Sequence, residues 1–218
     1  MTIELGQDPM FLIFLSFLEI LLITIPVFLS SLIKKKNIKE EFKEIGFRNF
    51  YVKKLKFINS IILSLAIGFG FYVLSMPLSL FLLDFLIPII FGIDFVRIAI
   101  SNTINTTPIN PSPIELLILV LLQIVIVAPC EEGFFRGFLI SKLSSKWRKS
   151  LTVLFSSSIF SIYHLPPFIV PFQTVISFFG YYFFFGIFLS ILFIENKGVL
   201  LPCIIAHSSF NILILILN

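Results

Sequence analysis

Hydrophobic positions along this chain come in long unbroken runs, separated by short polar stretches, and not in the alternation that marks strands. The first run, "MFLIFLSFLEILLITIPVFLSSLI" from Met10 to Ile33, is long enough to cross a bilayer as one helix. It follows an acidic start at Glu4 and Asp8, and no small-residue cleavage site closes it, so it reads as a retained anchor. A charged stretch follows, "KKKNIKEEFKEIGFRNFYVKKLK" at 34–56. Its Phe42, Ile45, Phe47 and Phe50 suggest a segment lying along the membrane surface.

The run 57–76 returns across the bilayer. The piece "PLSLFLLDFLIPIIFGI" at 77–93 contains Pro77, Asp84 and Pro88 and reads equally as a span, a re-entrant turn or an outer interfacial helix. "SNTINTTPINPSP" at 101–113 is a loop. A helix-length apolar segment runs from Ile114 to about Ile140, the basic loop "SKLSSKWRKS" occupies 141–150, and three further runs lie at 151–165, 169–194 and 198–217. Lysine excess places both basic loops on the cytoplasmic side and the N-terminus outside. The number of crossings between two loops on the same side must be even, which favours 77–93 failing to span by itself.

Composition turns this pattern into a fold class. The chain is 58% hydrophobic and 13% charged, with 29 phenylalanines and a mean hydropathy of +1.07. Soluble domains run near 45–50% apolar and about 25% charged, so the bilayer must serve as solvent. The expected fold is all-α: a polytopic transmembrane bundle of six to eight spans, in the cell membrane, with lipid as a constant partner. A β-barrel is disfavoured because the runs do not alternate. The net charge of +4 is concentrated in two loops and is a topology signal, not a nucleic-acid footprint. Cys130 and Cys203 sit in or beside apolar runs and form no disulfide framework.

Against this background the ionisable residues at lipid depth stand out, since each costs at least about 2.5–3.5 kcal/mol to insert. "APCEEGFFRGFL" at 128–139 carries Glu131, Glu132 and Arg136. Glu132 and Arg136 are i and i+4, placed to pair along one helix face, while Glu131 is rotated about 100° away without such a partner. A bland reading makes the three a helix-stapling ion pair with a spare carboxylate. His164 ends "FSIYH" just before Pro166 and Pro167, and His207 and Asn211 share a face in "AHSSFN". These are the only two histidines in the chain. Counted from the basic loops, Glu131, His164 and His207 all lie roughly 15–25 Å inward, so three helices can bring them into one cavity. A carboxylate and an imidazole can activate a water for attack on a carbonyl, with a second imidazole and an amide supporting the oxyanion. The same Glu131, His164 and His207 are alternatively a zinc ligand set. A third reading is a carrier using them as a proton relay.

In order along the chain, "EEGFFRG", "FSIYH" (with Phe160) and "HSSFN" match EExxxR, FxxxH and HxxxN. Together they resemble the CPBP family of intramembrane proteases, which includes the type II CAAX prenyl endopeptidases and bacterial Abi proteins. The resemblance covers about 113–217 and divides the chain into N-terminal spans at 1–112 and a catalytic core at 113–218. It implies that Glu131 and His164 activate water, that His207 and Asn211 support the oxyanion, and that Glu132 and Arg136 hold the site together. It implies an endopeptidase acting near the C-terminus of a lipidated, CAAX-type or otherwise membrane-embedded polypeptide, hence a peptide or prenylated-protein partner. The alternative it leaves is a non-catalytic carrier or a bacteriocin-immunity type protein. The cofactor stays open: none, or a divalent metal such as zinc.

Overall fold

The structure, a computed structural model, describes residues 7–48 and 54–217; Glu4 and Phe50 lie outside the described residues. It is a helical bundle throughout, without a strand among the described residues. Helix α1 (Pro9–Lys34) starts from an Asp8 cap whose side chain accepts from the Phe11 amide. A short α2 (Ile38–Glu44) follows. Helix α3 starts at Lys54 and runs on through Phe91, and α4 is Ile93–Ser101. Helix α5 is Pro113–Leu143, α6 is Lys149–His164, α7 is Phe172–Glu195 and α8 is Leu201–Leu217.

Among the described residues four helices are long and apolar enough to cross a bilayer: α1, α3 from Phe57, α5 and α7. Helices α6 (16 residues) and α8 (17 residues) are shorter. The chain is therefore an integral membrane protein. The large apolar side chains of α1 and α3, such as Phe14, Phe28, Leu63 and Phe69, point outward, as lipid-facing surface does.

Segment 77–93 takes none of its three expected forms. It continues α3, giving a 35-residue apolar helix of roughly 52 Å against a hydrocarbon core of about 30 Å. Two prolines do not stop it. Pro88 lacks an N–H and crowds the carbonyl four residues back, and the wider π-helical turn at Phe81–Leu86 makes room for both. Gly92, at φ 86°, then ends the helix and turns the chain into α4.

The stretch expected along the membrane surface is instead docked into the protein. Ile45 is fully buried, and Phe42 and Phe47 pack with Ile23, Val27 and Cys130. The physical reason is a close approach that only glycine allows. A Cβ on Gly137 would sit 2.4 Å from the Ile45 carbonyl oxygen. Glu41 completes the dock: fully buried, it takes bonds from Lys142, from Ser30 at 2.6 Å and from Lys34 at 3.3 Å. The Arg48 guanidinium reaches the Lys197 carbonyl at 2.5 Å, and the Leu200 amide reaches the Gly46 carbonyl at 3.2 Å. Both basic loops and the turn before α8 thus share one end of the bundle, as an even number of crossings between the loops requires.

Small residues let the inner helices approach closely, the usual device where lipid supplies no hydrophobic drive between helices. Ser156, Ser157 and Ser161 of α6 are fully buried, and a Cβ on Gly186 of α7 would lie 3.0 Å from Ser157. The main core joins Phe135, Phe160, Phe185, Leu189 and Phe210 with Phe71 from α3.

Candidate active site

Helix α5 carries the carboxylates, and its irregular winding aims them. Pro129 interrupts the helix interior, and two π-helical stretches, Gln123–Val127 and Gly133–Ile140, flank the α-helical turn Ala128–Glu132. A proline leaves one carbonyl without its amide partner, and a widened turn relieves the clash. In the second stretch the Phe135 carbonyl accepts from Ser156 Oγ at 2.7 Å, tying α5 to α6. Glu131, Glu132 and Arg136 all face protein, not lipid.

Glu132 and Arg136 pair as their spacing requires: Arg136 Nη1 donates to Glu132 Oε1 at 2.8 Å, with both side chains 0% exposed. The same Glu132 oxygen meets His207 Nδ1 at 2.7 Å, and Arg136 Nη2 donates to the Gly186 carbonyl at 3.3 Å. The guanidinium also lies 4.4 Å from the centre of the fully buried Phe160 ring, a cation–π contact. One ion pair therefore holds α5, α7 and α8 together and fixes an imidazole.

His164 is fixed from the other side. Its Nδ1 lies 2.9 Å from the Phe160 carbonyl, and its ring stacks on Tyr182 at 4.7 Å and meets the Phe160 ring, tilted, at 4.3 Å. A carbonyl oxygen only accepts, so Nδ1 of His164 carries a proton. The ion-paired Glu132 carboxylate also only accepts, so Nδ1 of His207 carries one too. Both Nε2 atoms are left free, and they face the same atom. Glu131 Oε2 lies 3.7 Å from His164 Nε2 and 3.9 Å from His207 Nε2, and this buried oxygen has no hydrogen-bond partner among the described residues.

The structure thus brings Glu131, His164 and His207 together, one from each of three helices. Those separations exceed a direct hydrogen bond. Carboxylate and imidazole are also the donor types of a zinc site. As arranged, no three His, Cys, Asp or Glu side chains among the described residues lie close enough to hold an ion. Asn211 sits one turn beyond His207 on the same face of α8, and its amide Nδ2 donates to Gln123 Oε1 at 2.8 Å. His164 is the open side of the group, with 23% of its side chain exposed, against 6% for Glu131 and 2% for His207. A cavity of about 460 Å³ lies elsewhere, at the basic-loop end between Gly46, Phe47, Phe57, Leu200 and Ile204.

Two neighbours of the site escaped the sequence reading. Gln123, which engages Asn211, is a polar residue inside an apolar run, eight positions before Glu131. Glu19 of α1 accepts from Tyr163 Oη at 2.5 Å, beside His164. A glutamate in the middle of the first apolar run was the available signal.

A helical membrane bundle with a carboxylate and two oriented imidazoles buried at its centre defines the class. Residues 113–213, which contain every one of these groups except Glu19, match the family model described as type II CAAX prenyl endopeptidase Rce1-like. No curated protein and no solved structure matches the chain. The match supports a membrane protease of the CAAX type.

Proposed function

We propose that the chain is an intramembrane endopeptidase that hydrolyses a peptide bond near the C-terminus of a lipidated, CAAX-type or membrane-embedded polypeptide. The observation that carries this reading is the single buried oxygen, Glu131 Oε2, facing the free Nε2 atoms of two imidazoles whose other nitrogens are engaged. A water between them attacks the scissile carbonyl carbon, forming the C–O bond and passing one proton to Glu131. His164 Nε2 accepts from the same water and orients it. His207, its Nδ1 held by Glu132, lies beside the developing oxyanion, and the Asn211 amide supplies a hydrogen-bond donor to it. Collapse breaks the C–N bond, and Glu131 returns its proton to the leaving amine. Glu132, Arg136 and Phe160 hold this arrangement without touching the substrate.

The catalytic core is 113–218, with 1–112 as its N-terminal spans. The end bearing the basic loops faces the cytoplasm, by the positive-inside rule, with the N-terminus outside the cell membrane. Partners are membrane lipid and the peptide or prenylated-protein substrate. The test is a screen of quenched fluorescent peptides, with and without an S-prenyl cysteine, on purified protein in detergent. Cleavage at one bond near the peptide's C-terminus is expected. A protein that cleaves nothing but moves protons across liposomes would favour the carrier reading instead.

A further inference from the structure

Glu19 is unexplained by the mechanism above. It sits in the middle of α1, among lipid-facing Phe17, Leu18 and Leu21. An ionisable group at that depth is costly and calls for a use. One carboxylate oxygen takes the Tyr163 hydroxyl at 2.5 Å, while the other, Oε2, is buried without a hydrogen-bond partner among the described residues.

Its position relates it to the reacting groups. Tyr163 precedes His164, and the two rings meet edge-on at 5.3 Å. Tyr163 is 37% exposed and the His164 side chain 23%, so the open side of the site lies along the Tyr163–Glu19 contact.

A peptide bond can be cut only where the chain is locally extended, and an extended segment at membrane depth carries backbone N–H groups with nothing in lipid to accept them. A fixed carboxylate oxygen beside the scissile bond meets that need. Resting on the peptidase reading, we infer that Glu19 is a substrate-binding residue: its Oε2, with the carboxylate steadied by Tyr163, accepts a backbone N–H from the extended substrate segment next to the bond that is cut.

The test pairs changes in enzyme and substrate. A quenched fluorescent peptide cleaved by the wild-type protein is remade with each N–H flanking the scissile bond replaced in turn by an ester oxygen. At one position the ester lowers wild-type kcat/KM about tenfold or more, mainly through KM, the size expected for a hydrogen bond to a charged group. Glu19→Ala shows the same loss with the parent peptide, and the ester at that position adds nothing further. Glu19→Gln, which keeps an acceptor, and Tyr163→Phe, which frees the carboxylate, give smaller losses. Losses that multiply at every position, or a Glu19→Ala protein as active as wild type, would overturn the inference and leave the peptidase reading intact. So would a wild-type protein insensitive to every ester, an arm that needs no variant to fold. A wild-type protein that cleaves no peptide overturns the peptidase reading, and this inference with it.

Discussion

Glu132→Gln is the sharpest perturbation of the framework, because one oxygen atom serves two partners. Glu132 Oε1 accepts from Arg136 at 2.8 Å and from His207 at 2.7 Å, and Glu132 and Arg136 are 0% exposed. Gln keeps the shape and one acceptor oxygen but removes the charge, leaving the guanidinium buried against neutral groups, among them the Gly186 carbonyl and the Phe135 and Phe160 rings. Stranding one member of a buried pair costs about 3–5 kcal/mol. For a chain of this length that is a fall in Tm of roughly 6–20 °C. Replacing both members, as in Glu132→Gln with Arg136→Met, removes the stranded charge, and the loss should be smaller than the sum of the single losses. Thermal unfolding in one detergent, run on wild type, both single variants and the double, reads all four corners of the cycle. An unchanged Tm in Glu132→Gln with turnover abolished would refute a framework role and put Glu132 among the reacting groups.

Other outcomes follow from particular contacts. Burial raises the Glu41 carboxyl, but the bonds from Lys142, Ser30 and Lys34 outweigh it and hold its pKa down to about 2, against 4.5 for a free glutamate. A depressed folded-state value means that this dock stabilises above pH 4.5 and is lost as pH falls toward about 2; hydrogen exchange of α2 across that window should rise, and should already be high at neutral pH in Glu41→Gln. Gly137→Ala pushes a methyl against the Ile45 carbonyl, 2.4 Å from the new Cβ, and should cost about 1–3 kcal/mol in unfolding measurements. Gln123→Ala releases the Asn211 amide and should lower kcat without raising KM. If Asn211 acts through that orientation, Gln123→Ala with Asn211→Ala should be no worse than Asn211→Ala alone.

Much of this architecture is legible without coordinates, and the limits have physical causes. Continuous apolar runs force helices in a bilayer, because only helices satisfy every backbone group within one segment there. The i,i+4 spacing of Glu132 and Arg136 gives their pair directly, and Glu131, His164 and His207 betray themselves by being ionisable where ionisation is costly. Contacts between distant helices are another matter. No local pattern places His207 on Glu132 or Asn211 on Gln123, 75 and 88 residues apart in sequence. The run 77–93 misleads because its prolines look like stops, whereas the α-helix continues through Pro77 and a π-helical turn absorbs Pro88. The amphipathic stretch around Phe42 and Ile45 looks like a surface helix, since a face that docks on protein has the same periodicity as one that docks on lipid. Glu19 was in view but matched no motif and had no local partner.

The most direct test of the central claim compares peptide cleavage by wild type and Glu131→Gln, with bound metal measured on both. Gln at this position keeps the shape but cannot take the water's proton, and a neutral amide is easier to bury than a carboxylate. The protein should fold as wild type does, and hydrolysis should fall by about two to four orders of magnitude. Metal content should be the same in the two proteins, and chelators should leave the wild type active. Full activity in Glu131→Gln would contradict the account outright.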